Sequence, residues 1–164
     1  MYKFPSKPNL EQYWRCDNMI IKTKLWAKMP KSTKACYVPI AIHCNNKGRC
    51  FPSARRIAIQ AGIDQKTARG GINKGWPLIK SERYHTQNKN TGKRYQLEIC
   101  PDEKGRCFSI DKWLVETGIW SQLNPGSKAL YIAMKGLAFF GKEGAELYSI
   151  LEDLDYGDYI VSER

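Results

Sequence analysis

The segment from Ser53 to Ile72 constrains the fold of this chain most, because it predicts two short helices joined by a tight turn. Ser53 can cap the first helix by accepting a hydrogen bond from a free backbone N–H. Gly62 suits the left-handed residue that commonly ends a helix. Asp64 can cap the second helix, where its carboxylate faces the positive end of the helix dipole. Helical spacing turns one apolar set inward: Ile57, Ala58, Ala61, Ile63, Ala68 and Ile72.

The second of these helices leaves a polar and basic face on its outer side. Gln65, Lys66, Arg69 and Asn73 remain there once the apolar residues face inward. A small apolar wedge that carries a basic outer helix is what a DNA-binding helix-turn-helix requires.

The same segment resembles the helix-turn-helix of winged-helix proteins. The family pattern of alanine, three residues, glycine, a branched apolar residue and a cap is matched by Ala58, Gly62, Ile63 and Asp64, and Thr67–Arg69 continues it. The preceding Phe-Pro-Ser, residues 51–53, is similar to the winged-helix domain of phage and plasmid replication initiators and replisome organisers. The resemblance covers about residues 32–99, and it implies duplex DNA binding at a replication origin.

Gly70 and Gly71 depart from the pattern, because they lie inside the second helix. Each costs about 0.5–1 kcal/mol relative to alanine there. They allow a close approach to a phosphate or to a partner helix, or else they shorten the helix and remove contacts beyond Arg69.

An entry helix is expected before this pair. Ser32 is expected to cap it, and Pro39 is a flaw that removes a backbone donor and clashes with the carbonyl of Ala35. His43 is expected near the C-terminal end of the helix, and Arg49–Phe51 as a short strand. Residues 1–18 are expected to be an irregular arm.

A β-hairpin wing is expected after the pair. Trp76 and Leu78 are expected to close the core, and the strands are Ile79–Thr86 and Arg94–Ile99. The second strand alternates with period two, which places Tyr95, Leu97 and Ile99 on one face. Phosphate contacts fix register on DNA without reading sequence. The wing tip is expected to offer such contacts through Lys89, Lys93 and Arg94.

The predicted DNA contacts therefore come from three elements: the first helix, the second helix and the wing. Arginine or lysine suits guanine, and glutamine or asparagine suits adenine. The predicted residues are Ser53, Arg55, Arg56, Gln65, Lys66, Thr67, Arg69, Asn73, Lys74, Lys89, Lys93 and Arg94.

Charge is distributed unevenly along the chain, whose net charge is +11. Residues 1–100 carry 20 basic and 5 acidic side chains, and residues 101–164 carry 7 and 11. A basic front half at +15 beside a back half at −4 favours a polyanionic partner for the front half. The acidic C-terminal unit is instead expected to contact a second copy of the chain or a replication protein.

The chain also repeats weakly at an offset of 94 residues. Trp26 matches Trp120, Lys34-Ala35 matches Lys128-Ala129, and Tyr37 matches Tyr131. A second entry helix is expected over Ser127–Phe140. Either a partial or degenerate second winged helix follows, or a helix that only supports the first domain.

Several classes of protein are not expected. Apolar runs are too short for a membrane span, the N-terminus lacks a signal-peptide core, and P-loop and paired-histidine metal motifs are missing. We therefore expect no membrane association, no enzyme activity and no cofactor. The cysteine spacing suits neither zinc nor, without a secretory signal, a disulfide framework. The six cysteines are Cys16, Cys36, Cys44, Cys50, Cys100 and Cys107.

Together these observations predict an α+β fold. Its units are an N-terminal arm (1–18), a winged helix-turn-helix domain (19–100) with three helices and a β-hairpin, and a partial or degenerate second unit (106–164). The predicted function is sequence-specific binding of double-stranded DNA in the cytoplasm, at an origin of phage or plasmid replication. A winged-helix transcription regulator and a protein-interaction adaptor remain as alternatives.

Overall fold

The computed structural model describes residues 13–45, 47–85, 91–97 and 107–138, which form an α+β fold of short helices and antiparallel sheets. The expected α+β class is therefore confirmed. In chain order the elements are β1 (Tyr13–Asp17), α1 (Met19–Lys22), α2 (Leu25–Lys28), α3 (Lys31–Ala41), β2 (Arg49–Cys50), α4 (Ala54–Ala61), α5 (Gln65–Asn73), β3 (Ile79–His85), β4 (Thr91–Leu97), β5 (Cys107–Asp111), α6 (Trp113–Glu116), α7 (Ile119–Gln122) and α8 (Pro125–Ala138).

Three helices and a three-stranded sheet surround the main core. Helices α3, α4 and α5 pack on one another, and the antiparallel strands are ordered β2-β4-β3. Cys50 lies opposite Tyr95, and Ile79 lies opposite Leu97. Both Tyr95 and Leu97 are fully buried, as their alternation predicts, whereas Ile99 lies outside the described residues.

The entry helix α3 begins one residue before the predicted cap. Pro30 occupies the N-cap position and Lys31 is the first helical residue, so the expected cap at Ser32 is wrong. Ser32 instead lies inside the first turn of α3, where its backbone carbonyl carbon would be 2.6 Å from a Cβ added at Gly71 of α5. Tight packing between the two helices therefore sets this end of α3.

Helix α3 continues through Pro39. Proline has no N–H to donate to the carbonyl four residues earlier, which here belongs to Ala35. The indole Nε1 of Trp120 donates to that carbonyl at 3.0 Å. A side chain from the distant helix α7 therefore replaces the missing hydrogen bond within α3.

The expectation of an irregular arm over residues 1–18 is wrong for its last part. Tyr13–Asp17 forms β1, which pairs with β5 in an antiparallel two-stranded sheet. The partner strand lies about 90 residues further along the chain, so no local pattern could indicate the pairing. Residues 1–12 lie outside the described part of the chain.

The 94-residue repeat is visible in the structure. The elements β1, α1, α2 and α3 start 94 residues before β5, α6, α7 and α8, respectively. The β1–β5 register is centred on Arg15 opposite Ser109, which are themselves 94 residues apart. The second entry helix starts at Pro125 rather than the expected Ser127, and the matches from Gly144 onward lie outside the described residues.

The core below α5 is closed by Leu78, as expected, but not by Trp76. Leu78 is buried, whereas 67% of Trp76 is exposed. Leu78 and Ile79 fill the space beneath the helix, and the Trp76 ring lies on the surface, with the Lys80 ammonium 5.5 Å from its centroid.

One cysteine contradicts the expectation of reduced thiols throughout. Cys107 is disulfide-bonded, so the absence of a secretory signal was poor evidence about this residue. The other described cysteines, Cys16, Cys36, Cys44 and Cys50, are free. Burial raises the pKa of Cys16 and of Cys36 to about 12, which keeps both thiols protonated near neutral pH.

Candidate nucleic-acid interface

Helix α4 begins and ends as its sequence predicts. The Ser53 hydroxyl accepts a hydrogen bond from the backbone N–H of Arg56 at 3.1 Å. Gly62 ends the helix in the left-handed conformation, with φ 67° and ψ 34°. A Cβ at Gly62 would also lie 1.9 Å from the carbonyl oxygen of Ser121 in α7. Arg55 and Arg56 lie exposed in the first turn.

Helix α5 is fixed at its start by Asp64, which accepts a hydrogen bond from the Thr67 backbone N–H at 2.9 Å. The Thr67 hydroxyl also donates to this carboxylate, and that hydrogen bond lowers the pKa of Asp64. Thr67 therefore uses its hydroxyl in the cap. Ala68 and Ile72 are buried, as expected, and Ile63 packs half-buried against the core.

The two glycines within α5 have different surroundings. A Cβ at Gly71 would clash with the Ser32 backbone, whereas a Cβ at Gly70 would have no neighbour within 4 Å. Gly71 therefore allows the close approach of a partner helix, which was one of the two readings of this pair. The helix is not shortened, since it runs on to Asn73.

A groove of about 560 Å³ separates the outer face of α5 from the β3–β4 hairpin. Gln65, Arg69 and Asn73, each four residues apart, form one wall. The Lys93 ammonium reaches across from β4 and donates to the Asn73 amide oxygen at 3.2 Å. The other lining residues are Phe51, Pro52, Ser53, Ala54, Arg55, Arg83, Tyr84, Thr91, Gly92 and Tyr95.

Electrostatically the groove is one-sided. Arg55, Arg69, Arg83 and Lys93 all line it, and no Asp or Glu is among the lining residues. The buried Tyr95 hydroxyl has no hydrogen-bond partner, and burial raises the pKa of Tyr95 to about 12. Four cations in a concave surface attract and hold an anionic ligand.

Not all predicted contact residues reach this groove. Ser53, Arg55, Gln65, Arg69, Asn73 and Lys93 line it, whereas Arg56, Lys66, Thr67 and Lys74 are exposed around it. Lys89 lies outside the described residues.

Lys93 and Arg94 are not at the tip of the hairpin, as was expected, but within β4. Since neighbouring residues of a strand face opposite sides, Arg94 points away from the face of Tyr95. Arg94 forms an ion pair there with Glu82 of β3, and this contact lowers the pKa of Glu82. The wing offers Lys93, rather than Arg94, to the groove.

Three groove residues were missed by the sequence reasoning: Arg83, Tyr84 and Phe51. Arg83 pairs with Lys93 across the hairpin. The signal for Arg83 was the register, since a hairpin that turns over residues 86–90 brings Arg83 opposite Lys93. Phe51 and Tyr84 make an edge-to-face contact, for which the sequence holds no local signal.

Other chemistry was sought in the described ranges. No group of three His, Cys, Asp or Glu side chains there could hold a metal ion. His43 follows the end of α3 and hydrogen-bonds Gln60 at 2.9 Å, and burial lowers its pKa. Among the described helices none has the length and apolar character needed to cross a membrane.

No family model, curated protein or solved structure matches this chain. Its function is therefore argued from the geometry of the groove and the surfaces around it.

Proposed function

We propose that this chain is a winged-helix protein that binds double-stranded DNA, with α5 as the recognition helix and the β3–β4 hairpin as the wing. The observation that carries the proposal is the groove between them, lined by four cationic and no acidic side chains. The major groove of B-DNA is about 12 Å wide and admits one α-helix. Helix α5 is exposed along the side that faces the hairpin.

The roles of individual residues follow from their positions. Gln65, Arg69 and Asn73 form a stripe along α5 that would face base edges. Arginine suits guanine, and glutamine or asparagine suits adenine, so this stripe would carry sequence preference. Phosphate contacts would come from the start of α4 and from the wing, through Ser53, Arg55, Arg56, Arg83 and Lys93, with Lys66 and Lys74 beside the helix.

The cellular role within this proposal is origin binding in phage or plasmid replication, at DNA in the cytoplasm. It is supported only by the resemblance of residues 51–69 to replication initiators and replisome organisers. A transcription regulator with the same module would bind promoter-proximal palindromes instead of origin repeats.

A fluorescence-anisotropy titration with random-sequence duplex at 50 and 200 mM salt tests the DNA proposal. A protein that neutralises about six phosphates loses about 10³ in affinity between these conditions. Arg69→Ala and Lys93→Ala should each weaken binding, and each lost phosphate contact should reduce the salt slope by about 1. Lys28→Ala is the matched control, because Lys28 is exposed on α2 and does not line the groove.

Two results would overturn the proposal. One is the absence of duplex binding at 50 mM salt. The other is a loss of affinity in Lys28→Ala equal to that in Arg69→Ala, which would show that only net charge matters.

A further inference from the structure

An exposed aromatic pair lies at the end of the basic groove. Phe51 is 57% exposed although it is a large apolar side chain. Its ring lies 5.6 Å from the ring of Tyr84, centroid to centroid, at an interplanar angle of 86°. Both residues line the groove together with Arg83 and Lys93. The apolar surface of Phe51 is therefore continuous with the cationic surface.

The fold holds this pair in place from both strands. Phe51 directly follows β2, where Cys50 is buried opposite Tyr95, and the buried Pro52 follows it. Tyr84 lies across the hairpin from Gly92, and a Cβ at Gly92 would come within 2.5 Å of the Tyr84 ring. Glycine at position 92 thus leaves the space that the Tyr84 ring occupies against Phe51.

A bound duplex alone gives the Phe51 ring no partner. The outside of a duplex presents charged phosphates, and its bases are stacked on one another. An unpaired base offers a free aromatic face, and stacking on a protein aromatic contributes about 1–3 kcal/mol per base. Cations beside the ring can hold the phosphate that follows such a base.

We infer that Phe51, supported by Tyr84, stacks on the first unpaired base where a duplex opens into single strand. The protein would therefore prefer a junction between double- and single-stranded DNA to a blunt duplex. This inference rests on the proposed function, since it places the duplex part in the same groove.

The test compares three DNAs in anisotropy titrations of the whole chain: a blunt duplex, the same duplex with a single-stranded extension, and the single strand. The wild-type protein should bind the junction about tenfold more tightly than the blunt duplex. Phe51→Ala should abolish this preference and leave blunt-duplex affinity unchanged. 2-Aminopurine at the first unpaired position should lose fluorescence with the wild type and retain it with Phe51→Ala.

Two further variants separate stacking from other effects. Phe51→Leu keeps apolar bulk without an aromatic face and should behave like Phe51→Ala, while Phe51→Trp should keep the junction preference. Trp76→Ala removes an aromatic side chain of similar exposure that does not line the groove, so it should leave the preference intact.

The outcomes distinguish the two proposals. Equal binding of blunt duplex and junction by the wild type overturns the stacking inference and leaves duplex binding standing. A junction preference that survives Phe51→Leu also overturns the inference. Failure to bind any of the DNAs overturns both proposals.

Discussion

The indole of Trp120 donates its hydrogen bond to the carbonyl that Pro39 leaves unpaired in α3. That carbonyl belongs to Ala35, and the Trp120 ring is fully buried. Trp26, 94 residues before Trp120, donates in the same way to the carbonyl of Ala129, 94 residues after Ala35. The two copies of the repeat therefore exchange equivalent hydrogen bonds, but only α3 contains a proline.

Trp120→Phe should destabilise the fold more than Trp26→Phe. The first leaves a buried carbonyl without either donor, which costs about 1–3 kcal/mol. The carbonyl of Ala129 faces Ala133, whose backbone N–H remains available within α8. Urea unfolding of both variants measures the difference, and Pro39→Ala added to Trp120→Phe should recover part of the loss. Equal losses in the two phenylalanine variants would contradict this account.

Gly71→Ala and Gly70→Ala should have opposite effects on stability. The added methyl at Gly71 meets the Ser32 backbone at under 3 Å, and overpacking of this kind costs about 1–3 kcal/mol. At Gly70 the methyl meets no atom, and alanine is favoured over glycine inside a helix by about 0.5–1 kcal/mol. Thermal unfolding of the pair tests the prediction, since the two changes are chemically identical and adjacent. Stabilisation of both variants would contradict the close contact between α3 and α5.

Lys93→Ala should reduce DNA affinity and the salt slope, whereas Arg94→Ala should change both little. Lys93 faces the groove beside Asn73, and Arg94 is paired with Glu82 on the other side of the hairpin. Anisotropy titrations at several salt concentrations measure the difference. Glu82→Gln controls for the acidic charge that Arg94→Ala leaves unpaired. An equal loss for both variants would place the DNA on the opposite face of the hairpin.

Lys34 should make the stability of the fold depend on pH above neutrality. Lys34 is buried and donates to the carbonyl of Ala27 at 3.1 Å, and burial lowers its pKa from 10.5 to about 8. Because the folded state then binds the proton less tightly than the unfolded state, this group adds stability as pH rises from 8 to 10.5. The full effect of such a shift is on the order of 3 kcal/mol.

Lys34→Met removes this titration. Its stability relative to the wild type should be highest near pH 7.5 and should fall as pH approaches 10.5, in urea unfolding at matched pH values. The comparison is made as a difference because the cysteines and tyrosines titrate in both proteins. A difference that does not change with pH would contradict the assignment.

The sequence by itself determined the local chemistry of the helix pair. Ser53, Gly62 and Asp64 cap the helices as predicted, because a cap depends on residues within one turn of the chain. The inward set of α4 and α5 follows from helical spacing alone. The alternation that buries Tyr95 and Leu97 is also local.

Only the tertiary structure decided features that join distant segments. The pairing of β1 with β5, the donation from Trp120 to α3, and the exposure of Trp76 depend on which surfaces meet. The same is true of the groove, where register brings Arg83 beside Lys93 and Tyr84 against Phe51. Periodicity shows which residues share a face of one element, but the packing of the elements decides what each face meets.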